Sequence, residues 1–399
     1  MIELLSDGSV TSPKGFLAGA TYCGIKTGGQ DLSIVFSEVP CAAAAVFTTN
    51  KVKAVPILVS QEHLSDGRAQ AIVVNSGNAN ACTGDDGYAK AAETTRMVAE
   101  KLGIASADVL VASTGVIGVP LPIEKIRAGI QNVVLKRDGG HQAALGIMTT
   151  DTHPKEAACS VALGNATVTI GGMAKGAGMI HPNMATMLGF ITSDALVEPS
   201  FLQAALRRAV DVSFNMISVD GDTSTNDTVL VLANGLAGNE VLREGSADAE
   251  AFENGLQRVA TSLAQAVVRD GEGATKFIEV RVAGAASVAD ARLAARAVVG
   301  SNLVKAAVYG SDPNWGRILA AVGYSNAEVD PGLVDIIIGG VALMRAGRIQ
   351  PFDKAQVSSI LRQPDVFIDV DLHLGQGAST AWGCDLTEQY VVINSEYTT

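Results

Sequence analysis

Gly171-Gly-Met-Ala-Lys-Gly-Ala-Gly-Met-Ile-His-Pro-Asn-Met-Ala-Thr-Met-Leu-Gly-Phe-Ile-Thr-Ser-Asp-Ala195 is the least ordinary stretch of this sequence. It sets a single lysine, Lys175, directly before Gly176 and Gly178, whose backbones reach conformations closed to other residues. Such a segment suits either a phosphate cradle or the close approach of a lysine to a bound carboxylate. The phosphate motifs do not fit. Lys175 precedes the glycines, where G-x-x-x-x-G-K-[ST] needs it to follow, and His181 stands where G-x-G-x-x-G needs its third glycine. A glycine-rich strand entry with a solvated lysine is the competing reading, and spacing alone does not identify a nucleophile.

Outward from this stretch, short apolar runs end in polar turns: Ala71 to Val74 before Asn75-Ser-Gly, Val109 to Ala112 before Ser113-Thr-Gly, and Val229 to Ala233 before Asn234-Gly. They predict strands covered on both faces. Ile368, Val370, Leu372 and Leu374 alternate with polar residues and predict a half-buried strand. Phe252, Leu256, Val259, Leu263 and Val267 recur at helical spacing, as do Tyr88, Ala92, Thr95, Val98 and Leu102 with Gly103 just beyond, and Pro199-Ser200 opens a third helix. Near Thr275 the long helix gives way to an alternating strand, Ile278, Val280, Val282. The pattern predicts a layered α+β protein with one domain over 1–275 and a second α/β domain over 276–399.

Composition narrows the function. Of 399 residues, 29 are Lys or Arg and 41 are Asp or Glu, a formal net charge of -12, which excludes the basic footprint of a nucleic-acid binder. The five cysteines, Cys23, Cys41, Cys82, Cys159 and Cys384, form no C-x-x-C pair and read as buried free thiols, and the five histidines show no zinc spacing, so no metal is implied. The acidic start lacks a signal peptide's basic region, and the longest apolar stretch, Val334 to Met344, is too short and too interrupted to span a membrane. A cytoplasmic protein is predicted. Asp220-Gly-Asp-Thr-Ser-Thr-Asn-Asp227 is no calcium loop, because position twelve is Val231 and position six is Thr225. It predicts a polar turn, with a supporting contact to the catalytic region as the alternative.

Lys175-Gly-Ala-Gly-Met-Ile together with Met184-Ala-Thr-Met-Leu-Gly-Phe-Ile-Thr-Ser-Asp-Ala resembles the self-cleavage segment of the ornithine acetyltransferase (glutamate N-acetyltransferase) family. The resemblance runs over essentially the whole chain in ordered blocks. These include Ser12-Pro-Lys-Gly-Phe, Asn75-Ser-Gly-Asn-Ala-Asn-Ala, Ser113-Thr-Gly-Val-Ile-Gly, Met148-Thr-Thr-Asp-Thr152, Asp270-Gly-Glu-Gly-Ala-Thr-Lys, Ser311-Asp-Pro-Asn-Trp-Gly-Arg and the terminal Ile393-Asn-Ser-Glu-Tyr-Thr-Thr.

The resemblance implies autocatalytic cleavage between Ala185 and Thr186, after which Thr186 is the nucleophile of a two-step acetyl transfer from N2-acetyl-L-ornithine to L-glutamate in arginine biosynthesis. A threonine hydroxyl needs a base, and the freed α-amino group, with an unperturbed pKa of about 7.7 to 8.0, can supply it. By the same resemblance Thr114 and Gly115 form the oxyanion hole, and Thr152, Lys175, Thr186, Glu272, Asn394 and Thr399 contact substrate. Lys175 would meet a substrate carboxylate and Glu272 the ornithine ammonium. The family pattern requires no cofactor; some members also accept acetyl-CoA as donor. It further implies a four-layer αββα sandwich, layered like N-terminal-nucleophile hydrolases, with a smaller C-terminal α/β domain, and a heterotetramer of two α (1–185) and two β (186–399) chains. An amidase or aminopeptidase with water as acceptor, and a silent amino-acid-binding protein, are the alternatives.

Overall fold

The computed structural model describes residues 1–181 and 187–396. The elements run β1 (Ile2–Leu4), β2 (Phe16–Thr21), β3 (Leu32–Phe47), α1 (Val55–His63), β4 (Arg68–Asn78), α2 (Gly84–Leu102), β5 (Val109–Val116), α3 (Ile123–Asn132) and α4 (Gly140–Gly146). There follow β6 (Lys155–Ala162), β7 (Thr167–Lys175), β8 (Leu188–Ser193), α5 (Pro199–Asp211), β9 (Ile217–Ser218), β10 (Thr228–Ala233) and α6 (Ala249–Arg269). The last third adds β11 (Phe277–Ala285), α7 (Val288–Gly300), α8 (Asn302–Tyr309), α9 (Trp315–Gly323), β12 (Asp335–Ile338), β13 (Val341–Arg345) and β14 (Arg348–Ile349). It ends with α10 (Lys354–Leu361), β15 (Asp365–Asp371), β16 (Gly377–Cys384) and α11 (Glu388–Glu396).

The first sheet has the order β1-β6-β7-β8-β10-β3-β4-β5, with β2 also on β3. The sixteen-residue β3 links its two halves: residues 42–47 pair with β10, while residues 32–36 lie between β2 and β4. The period-two alternation of each strand then sorts side chains into separate layers. Val229 and Val231 of β10 pack with α5 and α6, whereas Leu230 and Leu232 face inward and meet Ile72 and Val74 of β4. Ala71 and Val73, on the other face of β4, pack with residues of α1, α2 and α3. Helix, sheet half, sheet half, helix: this is the αββα sandwich that the family resemblance implies.

The second sheet, order β14-β13-β12-β15-β11-β16-β9, is mixed, and the core under α6 continues through α7 into it. Strand β9, from before position 275, pairs with β16 in parallel, Ile217 opposite Trp382. The alternating run predicted to be a strand through Leu374 ends at Asp371; His373 takes a left-handed conformation (φ 52°) and turns the chain so that Leu374 N donates to Gly284 O. The cysteines are not uniformly buried: Cys41, Cys159 and Cys384 are, Cys23 is half-buried, and Cys82 is exposed in the turn before α2, with φ 58°. Among the described residues no helix is long and apolar enough to cross a membrane.

Helix α6 carries the clearest packing test. Phe252 is fully buried on its inner face, its ring 6.3 Å from that of Phe201 on α5. Phe252→Ala is expected to lower stability by about 3 to 5 kcal/mol through lost transfer energy and a cavity, read from urea unfolding followed by circular dichroism.

Candidate active site

A cavity of about 260 Å³ opens where the strand ends of the first sheet meet α6 and α11. Thr114, Gly115, Lys175, Asp227, Glu272 and Asn394 all line it. Sheet register explains the convergence. Lys175 pairs with Leu188, Leu188 with Thr228 and Thr228 with Phe47, so one row crosses four strands and brings the end of β7 beside the starts of β8 and β10.

Thr114 and Gly115 close β5 opposite Ser76 and Gly77 of β4, at a bulge. Gly115 has φ +130°, and a Cβ built there would stand 2.3 Å from the Gly77 carbonyl carbon and 2.5 Å from Asn78 N. Only glycine fits, which holds the Gly115 amide in a conformation that other residues rarely reach. Asn226 straps the same corner, its Nδ2 donating to Ser113 O (2.8 Å) and Ala79 O (2.6 Å). Lys175 Nζ approaches Thr114 Oγ1 at 3.4 Å as a donor, which leaves the threonine's own hydroxyl hydrogen available.

Lys175 is 8 % exposed. Burial lowers its pKa, and the nearby Asp151 carboxylate opposes the shift. Asp151 in turn belongs to a buried ion cluster in which Lys155 Nζ donates to Asp151 Oδ1 (2.5 Å) and to Asp270 Oδ2 (2.5 Å). Burial alone would raise the Asp151 pKa, but Lys175, Lys155 and the Gly176 amide (2.7 Å) outweigh it and hold the carboxyl down at about 2. Asp270 receives both the backbone N–H (2.9 Å) and the hydroxyl of Thr152. Thr152 is therefore tied to the cluster and is not one of the cavity-lining residues.

At the opposite wall Glu272 N donates to Ala177 O (2.9 Å), and the Glu272 carboxylate lies so near Gly178 that a Cβ there would be 2.4 Å from it. Asn394 Nδ2 donates to Glu272 Oε2 (2.7 Å), so the C-terminal helix α11 does reach the cavity. Tyr390 of α11 donates to Asp220 Oδ2 (3.2 Å), and Asp220 also accepts the backbone N–H groups of Met179 (2.5 Å) and Ile180 (2.8 Å). Asp220, in the segment that the sequence reads as a polar turn, thus braces the loop that follows Lys175 and ties it to α11. His181, at the end of this loop, is pushed down to about 4 by burial and by Arg296.

Of the sequence-predicted site residues, the cavity gathers Thr114, Gly115, Lys175, Glu272 and Asn394. Ala185, Thr186 and Thr399 lie outside the described residues. Sequence reasoning missed Lys155, Asp227 and Tyr390. Asp227 stands inside a block already singled out for its polar density, but nothing marks Lys155, one lysine in an otherwise ordinary strand.

The cluster has a pH signature. The Asp151 pKa is depressed in the folded state, so its stabilisation is complete above the ordinary carboxylate value of 3.8 and is lost as the pH falls through about 2. Wild type is expected to lose about 2 kcal/mol more than Asp151→Asn between roughly pH 5 and pH 2, measured as unfolding free energy by urea titration at each pH.

The ArgJ family model matches residues 17–399. The arginine biosynthesis bifunctional protein ArgJ of Symbiobacterium thermophilum is 57% identical over 397 residues, covering 98% of this chain and 99% of that protein. The protein of the same name from Dehalococcoides mccartyi is 52% identical over 401 residues, covering 100% of this chain and 99% of its own. Among solved structures, arginine biosynthesis bifunctional protein argJ from Bacillus halodurans is 47% identical with a TM-score of 0.52, covering 53% of this chain and 100% of that one. Near-complete coverage at about half identity, on the fold and cavity described above, makes this chain a member of the ArgJ family.

Proposed function

We propose that the chain cuts itself between Ala185 and Thr186 and then moves acetyl groups from N2-acetyl-L-ornithine to L-glutamate through an acetyl ester on Thr186. The observation that carries this reading is the cavity itself, which sets a prospective oxyanion site, Thr114 and Gly115, beside a buried cation, Lys175, and across from an acidic wall, Glu272 with Asn394. An amino acid carrying an α-carboxylate and a cationic side chain is complementary to that pairing of charges.

In the first half-reaction the Thr186 hydroxyl gives its proton to the freed α-amino group and attacks the acetyl carbonyl. The Thr114 hydroxyl and the Gly115 N–H receive the developing negative charge, each donor being worth about 3 to 4 kcal/mol in a water-poor site. Collapse breaks the amide bond, the proton passes to the departing nitrogen, and ornithine leaves. Glutamate then enters, its amine attacks the ester, and the hydroxyl is regenerated. Lys175 holds the α-carboxylate in both halves, and Glu272 meets the ornithine ammonium. Helix α11, through Tyr390 and Asn394, narrows access for water, which otherwise competes with glutamate.

The size of the solved Bacillus halodurans chain supports a cut: all of it is matched by 53% of this chain, and residues 186–399 are 214 of 399, about 54%. Acetyl-CoA as a second donor, assembly of two α and two β chains, a cytoplasmic site of action, and a division into domains over 1–275 and 276–399 belong to the same proposal.

Intact mass under denaturing conditions tests the cut. Wild type is expected as two chains, 1–185 and 186–399, and Thr186→Ala as one; an active wild type that stays whole sinks the reading. On the cut enzyme, product should depend on added glutamate, and release of acetate without it would assign an amidase. Gly115→Ala, which cannot keep the backbone of the oxyanion site, is expected to lose about 100-fold or more in kcat.

A further inference from the structure

Glutamate brings two carboxylates into a cavity that offers one cation. Lys175 is the one cationic residue among the described residues that line it, whereas Asp220, Asp222, Asp227 and Glu272 line it too. With its α-carboxylate on Lys175, an acceptor whose side chain followed that of ornithine would lay a carboxylate against Glu272. The shorter glutamate side chain can turn to another staggered position about its Cα–Cβ bond. It then needs a counter-charge, because a carboxylate taken out of water without one is costly.

The loop between β2 and β3 carries such a charge. Asp31, fully buried just before β3, accepts four successive backbone N–H groups, from Cys23 (2.6 Å), Gly24 (3.0 Å), Ile25 (2.7 Å) and Lys26 (3.1 Å), and its own carbonyl accepts from Ser76 N (2.9 Å) on β4. The loop so held lays the Lys26 stem on the β4–β5 bulge: a Cβ at Gly77 would stand 2.8 Å from Lys26 Cγ, and Gly77 is the residue against which Gly115 packs. Lys26 Nζ donates to the Met148 carbonyl (3.0 Å), directly before Thr149 and Thr150, which line the cavity. An ammonium has three N–H groups. This one makes no other hydrogen bond and no ion pair among the described residues, and the half-buried hydroxyls of Thr149 and Thr150 have no hydrogen-bond partner among them either. Burial lowers the Lys26 pKa, the Asp31 and Asp151 carboxylates oppose the shift, and Lys175 is close enough to add to it.

We propose that Lys26 is a specificity-determining residue for the acceptor: its ammonium, turning on a four-carbon stem from the Met148 carbonyl, meets the side-chain carboxylate of glutamate, to which the Thr149 and Thr150 hydroxyls also donate. The inference rests on the transfer to glutamate proposed above. Ornithine, with a single carboxylate, does not use this subsite. The two half-reactions thus draw on different walls of one cavity, Glu272 selecting the donor's ammonium and Lys26 the acceptor's second carboxylate. Because Asp31 fixes the loop beforehand, little ordering remains to be done when the acceptor enters.

In a two-step transfer kcat/KM for each substrate reports its own half-reaction, which separates the two walls. Lys26→Met is expected to lose about 10- to 100-fold in kcat/KM for glutamate and far less in kcat/KM for acetylornithine. Glutamine has the same shape as glutamate without the charge, and the wild-type preference for glutamate over it is expected to shrink about tenfold or more in Lys26→Met and to survive largely in Lys26→Arg. A lysine that only tethered residues 148–150 would, when replaced, slow glutamate and glutamine alike. That result overturns the proposal, and so does an equal loss for glutamate and acetylornithine. If Lys26→Met does not fold, a crystal structure of wild type with glutamate decides: a side-chain carboxylate within about 3.2 Å of Lys26 Nζ upholds the assignment, and a separation beyond about 4 Å overturns it. A wild type that passes no acetyl to glutamate defeats both readings, whereas an active wild type whose preference survives in Lys26→Met defeats this one alone.

Discussion

The placement of Lys155 between Asp151 and Asp270 is the interaction on which the cavity depends. Three charges in a nearly water-free interior are tolerable only if each is paired and hydrogen-bonded, and here the remaining valences are filled by the amides of Thr149, Thr152 and Gly176 and by the Thr152 hydroxyl. The cluster and its partners come from the segment before β6, from the end of β7 and, through Asp270, from the end of α6. One ion cluster therefore fixes the origins of three segments that otherwise share no covalent neighbourhood. Two carboxylates against one lysine leave a net negative charge, and the nearby Lys175 offsets it.

From that anchor the rest of the wall follows by chain geometry. Gly176 begins the loop whose next turns pass Glu272 and Asp220, and the close approach of Gly178 to the Glu272 carboxylate is possible because no side chain intervenes. The cationic and acidic faces of the cavity are thus not independent inventions; both are consequences of how β7 leaves its sheet and how α6 ends. The corner at Thr114 and Gly115 is built separately, from the bulge between β4 and β5 and the strap of Asn226, and it meets the other wall through the contact of Lys175 with Thr114.

Much of this was legible in the sequence, for identifiable reasons. The helices announced themselves because α6 and α2 bury one face at 3.6-residue spacing, and the β4, β5 and β10 strands because short apolar runs ended in glycine or asparagine turns. The cavity residues Thr114, Gly115, Lys175, Glu272 and Asn394 came from the family resemblance and not from spacing, since they are far apart in the chain and only the tertiary fold joins them. Lys155 was invisible because an isolated lysine in a strand looks the same whether it faces water or two buried carboxylates. Leu374 was assigned to a strand on alternation alone, and alternation cannot register the turn at His373.

The order of strands in the first sheet carries a consequence for how the molecule must be made. Under a cut at 185/186, β1, β6 and β7 belong to the first chain, β8 and β10 to the second, and β3, β4 and β5 again to the first. The two strands of the second product are inlaid between strands of the first, with a backbone ladder on either side. Topology of this kind is learned by one continuous polymer and then kept after its link is gone. A cut molecule that melts has lost the tether that brought its strands together, so its recovery becomes a bimolecular encounter, and its persistence is governed by the rate of opening rather than by a reversible balance. The same bond cleavage that would create the reactive amine also makes the mature protein's shape a record of its precursor.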